Sequence, residues 1–180
     1  MSRASEDFDI SIGDAENLLA HFNSLNTKPP PPELEVLKRA GLIMAMTAWE
    51  TYVEDRLAEA VDSRLQSLSN EDVVSLVKSK LEEDINRLNN PGSARVIQLF
   101  RIYAGVNLDS KWCWGGVDHE AARTRLDEYL KLRGDIVHRS RPLSPDAPNS
   151  HPVRKDELEK AISFLKLLVD ATERALDAQN

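Results

Sequence analysis

Residues 33–68 read ELEVLKRAGLIMAMTAWETYVEDRLAEAVDSRLQSL, a stretch without proline and with a single glycine, Gly41. Leu37, Met44, Ala48, Tyr52, Leu57, Val61, Leu65 and Leu68 fall at helical spacing, which predicts one long helix. At about 1.5 Å per residue it would reach roughly 50 Å, so it is either the spine of a bundle or it bends at Gly41. From Leu42 to Trp49 it is apolar on nearly every side, which predicts burial between several helices and places the centre of the core there.

Working toward the N-terminus, Pro29 to Pro32 cannot continue a helix, although the last can open one. Before them, Leu18, Leu19, Phe22 and Leu25 predict a short helix over 14–25, preceded by an acidic leader expected to be flexible over residues 1–10. Toward the C-terminus, Ser69 with Asp72 resembles a capping arrangement, and Val73, Val74, Val77, Leu81 and Ile85 predict a third helix to about Arg87. Asn89-Asn90-Pro91-Gly92 ends it. Val96, Leu99, Phe100 and Tyr103 predict a fourth helix over 93–103, followed by a tucked loop with Trp112 and Trp114.

Asp118 can cap a fifth helix from His119 to about Val137, and four prolines then enforce a loop over 139–153. A last helix over 154–178 carries Leu158, Ala161, Ile162, Leu165, Leu168, Val169, Thr172 and Leu176 on one face. No segment alternates at period two. The expected fold is therefore a single all-α domain over 1–180, an up-and-down bundle of about six helices without significant sheet.

Composition narrows the function. The longest mainly apolar run, Ala40–Trp49, falls well short of the roughly 20 residues that span a bilayer, and residues 1–9 lack a signal-peptide pattern, so a cytoplasmic protein without a membrane role is expected. Cys113 is the only cysteine, which excludes an internal disulfide and any thiolate-rich metal cluster. With His119 it could form a thiol–histidine pair, but a cysteine beside tryptophans is more often buried packing. His21 and His151 read as surface histidines. The net charge of −7 argues against a surface that coats nucleic acid non-specifically. Between Lys131 and Lys155 the sign inverts: Lys131, Arg133, Arg139, Arg141, Arg154 and Lys155 outnumber Asp135 and Asp146. No phosphate-binding glycine loop, paired-histidine zinc helix, calcium loop or nucleophile elbow is present, and neither metal nor cofactor is expected.

The segment from Lys131 to Ser140 brings Arg133, Asp135 and His138 to the end of an amphipathic helix just before a forced loop. On a helix, positions 133 and 138 lie roughly 140° apart, so they cannot both face one small ligand unless the helix ends or a second chain contributes. The structural alternative is that His138 meets the negative end of the helix dipole while Arg133 pairs with an acid.

Arg133 and His138 form an Arg-x4-His motif that resembles the signature of the HEPN superfamily of small helical bundles. Residues 48–54, Ala-Trp-Glu-Thr-Tyr-Val-Glu, are similar to a pattern found in bacterial members, and the resemblance is to the prokaryotic branch RiboL-PSP-HEPN or its relatives, with the subfamily open. The resemblance covers most of residues 33–178. It implies a homodimer with the two motifs facing each other and metal-independent cleavage of RNA, as in toxin, antiphage and RNA-processing systems. His138 would then serve in acid–base chemistry and Arg133 would stabilise phosphoryl charge. Gly134 stands where active members often carry Asn, Asp or His after the arginine; Asp135 or Glu50 would have to supply that support, with Arg139 beside them and Lys131 and Arg141 binding substrate. Two other readings stay open: a non-catalytic interaction module with an antitoxin or regulatory partner, and a ligand-binding bundle that takes phosphate on Arg133, Arg139 and Arg141.

Overall fold

A computed structural model describes residues 2–28, 31–88, 90–138 and 153–178, with the backbone alone at Pro32 and His138. Among these residues there are six α-helices and no strand: α1 (Arg3–Leu25), α2 (Glu35–Leu65), α3 (Glu71–Asn86), α4 (Ser93–Leu99), α5 (His119–His138) and α6 (Lys155–Asp177). The expected all-α bundle is what the chain forms. The Pro-rich loop expected over 139–153 lies, but for Val153, outside the described residues.

α2 is the spine. Its 31 residues run unbroken through Gly41, and Leu42, Ala45, Met46, Ala48, Trp49, Tyr52, Val53 and Leu57 are buried along it. α1 packs antiparallel to it: the backbone N–H of Ala4 donates to Glu59 at 2.8 Å, Phe8 meets the Tyr52 ring edge-on, and Lys38 lies over the Phe22 ring. α6 runs parallel to α2. Gly41 lets its first turns approach, since a Cβ there would stand 2.8 Å from Leu158 Cδ2; farther along, Tyr52 and Arg56 both reach Glu173.

Four expectations are corrected. The leader is helix, because Ala4, Phe8, Ile12 and Ala15 fall on one buried stripe of α1 while the acidic residues Glu6, Asp7 and Asp9 face outward or across. The cap of α3 is Asn70, not Ser69: its side chain accepts from the Val73 N–H at 3.1 Å. The predicted fourth helix changes winding, becoming π-helical over Phe100–Ala104 before Gly105 closes it at φ 73°. Wider winding carries Phe100 and Tyr103 into the core and lets the Val106 N–H reach the Phe100 carbonyl at 3.2 Å. Finally, Cys113 is exposed. Its neighbour Trp112 is the one that is buried, and Trp112 Nε1 donates to Thr172 Oγ1 at 2.9 Å.

Asp118 caps α5 as expected, accepting from the Ala121 N–H at 2.8 Å. The loop before it is tucked against the bundle through Leu108 and Trp112, both fully buried. α3 is the outlier: Leu81 is its one buried side chain, and Val73 and Leu76 are exposed. Ion pairs tether it instead, Lys78 to Asp62 on α2 and Asp84 to Arg95 on α4. No helix is long and apolar enough to cross a membrane, among the described residues.

Candidate functional site

α5 buries Ala122, Leu126, Leu130 and Ile136. Seven residues after Leu126, Arg133 returns to nearly the same line of the helix, about 20° away, so the fold turns its guanidinium toward the bundle. There it meets Glu50, which follows the fully buried Trp49 on α2. Arg133 Nη2 donates to Glu50 Oε2 at 3.3 Å, and Nη1 donates to Asn90 Oδ1 at 3.4 Å. The backbone N–H of Asn90 in turn donates to Glu50 Oε1 at 3.3 Å. Arg133 Nε is buried with no acceptor among the described residues.

This triangle closes because the chain between α3 and α4 is pinned to both flanking helices. Trp49 Nε1 on α2 donates to the Pro91 carbonyl, while Asp127 on α5 accepts from the Ser93 N–H at 2.8 Å and from its hydroxyl at 2.7 Å. Asn90 itself has φ 69°, the one positive φ at a non-glycine position among the described residues. Asparagine tolerates that left-handed conformation better than most side chains, and the following proline disfavours the ordinary helical alternative.

The site is a cation–carboxylate pair a quarter exposed: the Arg133 side chain keeps 25% of its surface and that of Glu50 22%. Glu54, one turn on along α2, is held above the ordinary glutamate range, chiefly by burial and then by the Glu50 and Asp55 charges. The carboxylates of this stretch of α2 therefore crowd one another, and an arginine beside Glu50 offsets part of that repulsion.

Of the residues that sequence singled out, Arg133 and Glu50 are brought together. Lys131 is exposed and Asp135 half-buried, both about 160° around α5 from Arg133. His138 is the last residue of α5, so the helix does not end between it and Arg133, and the two positions stay roughly 140° apart. Arg139, Arg141 and His151 lie outside the described residues. The basic stretch is partly neutralised where it is described: Arg133 pairs with Glu50, Arg154 with Asp156 at 3.5 Å, and Lys155 with Glu159 at 3.6 Å. Gly134 faces open space, since a Cβ there would meet nothing within 4 Å. Sequence reasoning missed Asn90, reading Asn-Asn-Pro-Gly only as a helix stop; the available signal was an asparagine directly before a proline. Among the described residues no group of three or more His, Cys, Asp or Glu stands close enough to hold a metal ion.

The fold defines the class as an all-α helical bundle. Residues 11–178 match the family model of RiboL-PSP-HEPN, and the chain belongs to that family. No curated protein and no solved structure matches it.

Proposed function

We propose that the protein is a cytoplasmic, homodimeric, metal-independent endoribonuclease of the HEPN type. The observation that supports this best is Arg133, a partly exposed guanidinium at the end of α5, five residues before His138, in a chain whose residues 11–178 match the family. In this mechanism the ribose 2′-hydroxyl attacks the adjacent phosphorus. The P–O2′ bond forms, the P–O5′ bond breaks, and the products are a 2′,3′-cyclic phosphate and a 5′-hydroxyl. His138 accepts the 2′ proton or protonates the leaving oxygen, a task suited to a side chain that ordinarily titrates near neutrality. Arg133 stabilises charge on the phosphoryl oxygens.

A second copy answers the angular problem. Because α5 stays helical through residue 138, a site that uses both positions is completed most simply by the His138 of one protomer and the Arg133 of the other. Arg139, Arg141 and Lys131 would add backbone contacts to RNA, with binding that weakens as salt rises. The alternative, a non-catalytic module that engages an antitoxin or regulatory protein, is favoured by the Glu50–Arg133 pair, which places an acid where phosphate would bind, and by Gly134.

Labelled single-stranded RNA incubated in EDTA with the parent protein and with His138→Ala separates the two. Cyclic-phosphate ends made by the parent alone are expected; no cleavage of varied RNAs by folded protein would sink the nuclease and leave the interaction module.

A further inference from the structure

Asn90 belongs to no motif, yet it touches both members of the Glu50–Arg133 pair. Its backbone N–H fixes one Glu50 oxygen and its side-chain oxygen accepts from Arg133 Nη1, while the other Glu50 oxygen accepts from Nη2. The guanidinium is thus held at both terminal nitrogens, which sets its plane. Each terminal nitrogen carries two hydrogens, so one N–H on each stays available to a further acceptor. All three contacts lie at 3.3–3.4 Å, longer than the roughly 2.7–2.9 Å of a tight charge-assisted bond.

The chemistry of residue 90 matters as much as its place. An amide oxygen orients the guanidinium without adding charge, so Arg133 and Glu50 together remain neutral; a carboxylate there would make the cluster net negative and repel an anion. The backbone conformation that permits both contacts, φ 69°, is one that few non-glycine residues adopt. Here it is over-determined by Trp49 on one side and Asp127 on the other.

We infer that Asn90 is a positioning residue that, with Glu50, fixes the plane of the Arg133 guanidinium for a phosphodiester oxygen while leaving the cluster uncharged. This deepens the ribonuclease reading and rests on it for the identity of the anion. Asn90→Gly keeps the left-handed backbone and the N–H to Glu50 accessible while removing the whole amide, and with it the oxygen that accepts from Arg133. Asn90→Asp keeps an oxygen in place and adds the charge.

The experiment pairs kinetics with NMR of the protein labelled in arginine, the Arg133 guanidinium signals being assigned by their loss in Arg133→Lys. In the parent, restricted rotation about Nε–Cζ is expected to give separate Nη signals. In Asn90→Gly these should average, kcat on single-stranded RNA should fall about ten- to a hundredfold, and KM should stay within about twofold. In Asn90→Asp the signals should remain separate while KM rises about tenfold, an increase that shrinks with added salt. Parent-like spectra and kinetics in Asn90→Gly would overturn the inference, as would a loss of activity fully accounted for by the unfolded fraction in thermal melts. Should the parent cleave no RNA, the ribonuclease reading falls; averaging of the Nη signals in Asn90→Gly would still uphold the hold on Arg133, and its absence would overturn it.

Discussion

Two arginine–glutamate pairs flank the middle of α2, and they are built differently. Arg56 Nε donates to Glu173 Oε1 at 2.8 Å, the side chains are only 10% and 11% exposed, and the Tyr52 hydroxyl donates to the same oxygen at 2.7 Å. Burial, and then the Glu173 charge, push the Tyr52 phenol well above its ordinary range, so it stays a donor throughout the accessible pH range. The Glu50–Arg133 pair has the same chemistry, but it is longer, about twice as exposed and braced by a neutral amide. A short, dry, doubly bonded pair locks α6 to α2. A longer, more exposed one leaves guanidinium N–H groups open to a further acceptor, as the proposed anion site requires.

The sharpest way to break this contrast is to remove one acid from each pair. Glu173→Ala leaves the buried Arg56 with only Glu59, at 3.9 Å, as a counter-charge and should cost about 3 kcal/mol. Glu50→Ala, which leaves Arg133 access to water, should cost about 1 kcal/mol or less. Urea denaturation of the two variants measures both; equal losses would mean that Glu50–Arg133 is a second structural lock.

Next in size is Arg133→Ala. It should lower RNA cleavage about 10²–10³-fold, the scale of losing one donor to developing charge, while thermal unfolding shifts little. Arg133→Lys should not restore the rate, because an ammonium cannot be held in a plane by acceptors at two nitrogens. Full activity in the lysine variant would show that charge alone is used there.

The same contrast explains what was legible in the sequence. α2 and α6 could be read because their apolar residues recur over many turns and the buried stripe dominates local preference. The N-terminal part of α1 carries the same information in Phe8, Ile12 and Ala15, but acidic residues between them disguise it as a solvated leader. The π-helical turn was not legible. It differs from an α-helix by one residue in each hydrogen-bonded ring, and what selects it is the tertiary fit of Phe100 and Tyr103. At the site, Arg133 stands out by its position before a forced loop. Asn90 does not, since both its backbone angle and its partners are set by α2 and α5, some 40 residues away along the chain in each direction.

A smaller effect is expected at Gly134. A helical glycine whose Cβ would meet open space carries only an entropic penalty, so Gly134→Ala should stabilise the fold by about 0.5–1 kcal/mol in urea denaturation. Gly134→Asn should fold equally well and, if the polar support after Arg133 is what the site lacks, raise the cleavage rate. A loss of stability in the alanine variant would mean that a second copy packs closely over this residue.

The smallest effect tests whether the carboxylates around Glu50 are crowded. Glu54 is held above the ordinary glutamate range, mainly by burial and then by Glu50 and Asp55. Its folded value therefore exceeds its unfolded one, so the unfolded chain releases this proton first. Glu54 favours folding fully when the pH is below the unfolded value, and that contribution fades as the pH rises through the folded value. Glu54→Gln cannot lose a proton. Relative to the parent it should gain stability across the interval between those two values, then hold a constant advantage toward neutrality. In the background of Glu50→Gln the gain should shrink, because one of the repelling charges is gone. Denaturation curves of the single and double variants at several pH values measure this coupling. An unchanged gain would assign the effect to burial and Asp55, and would leave Glu50 without a part in it.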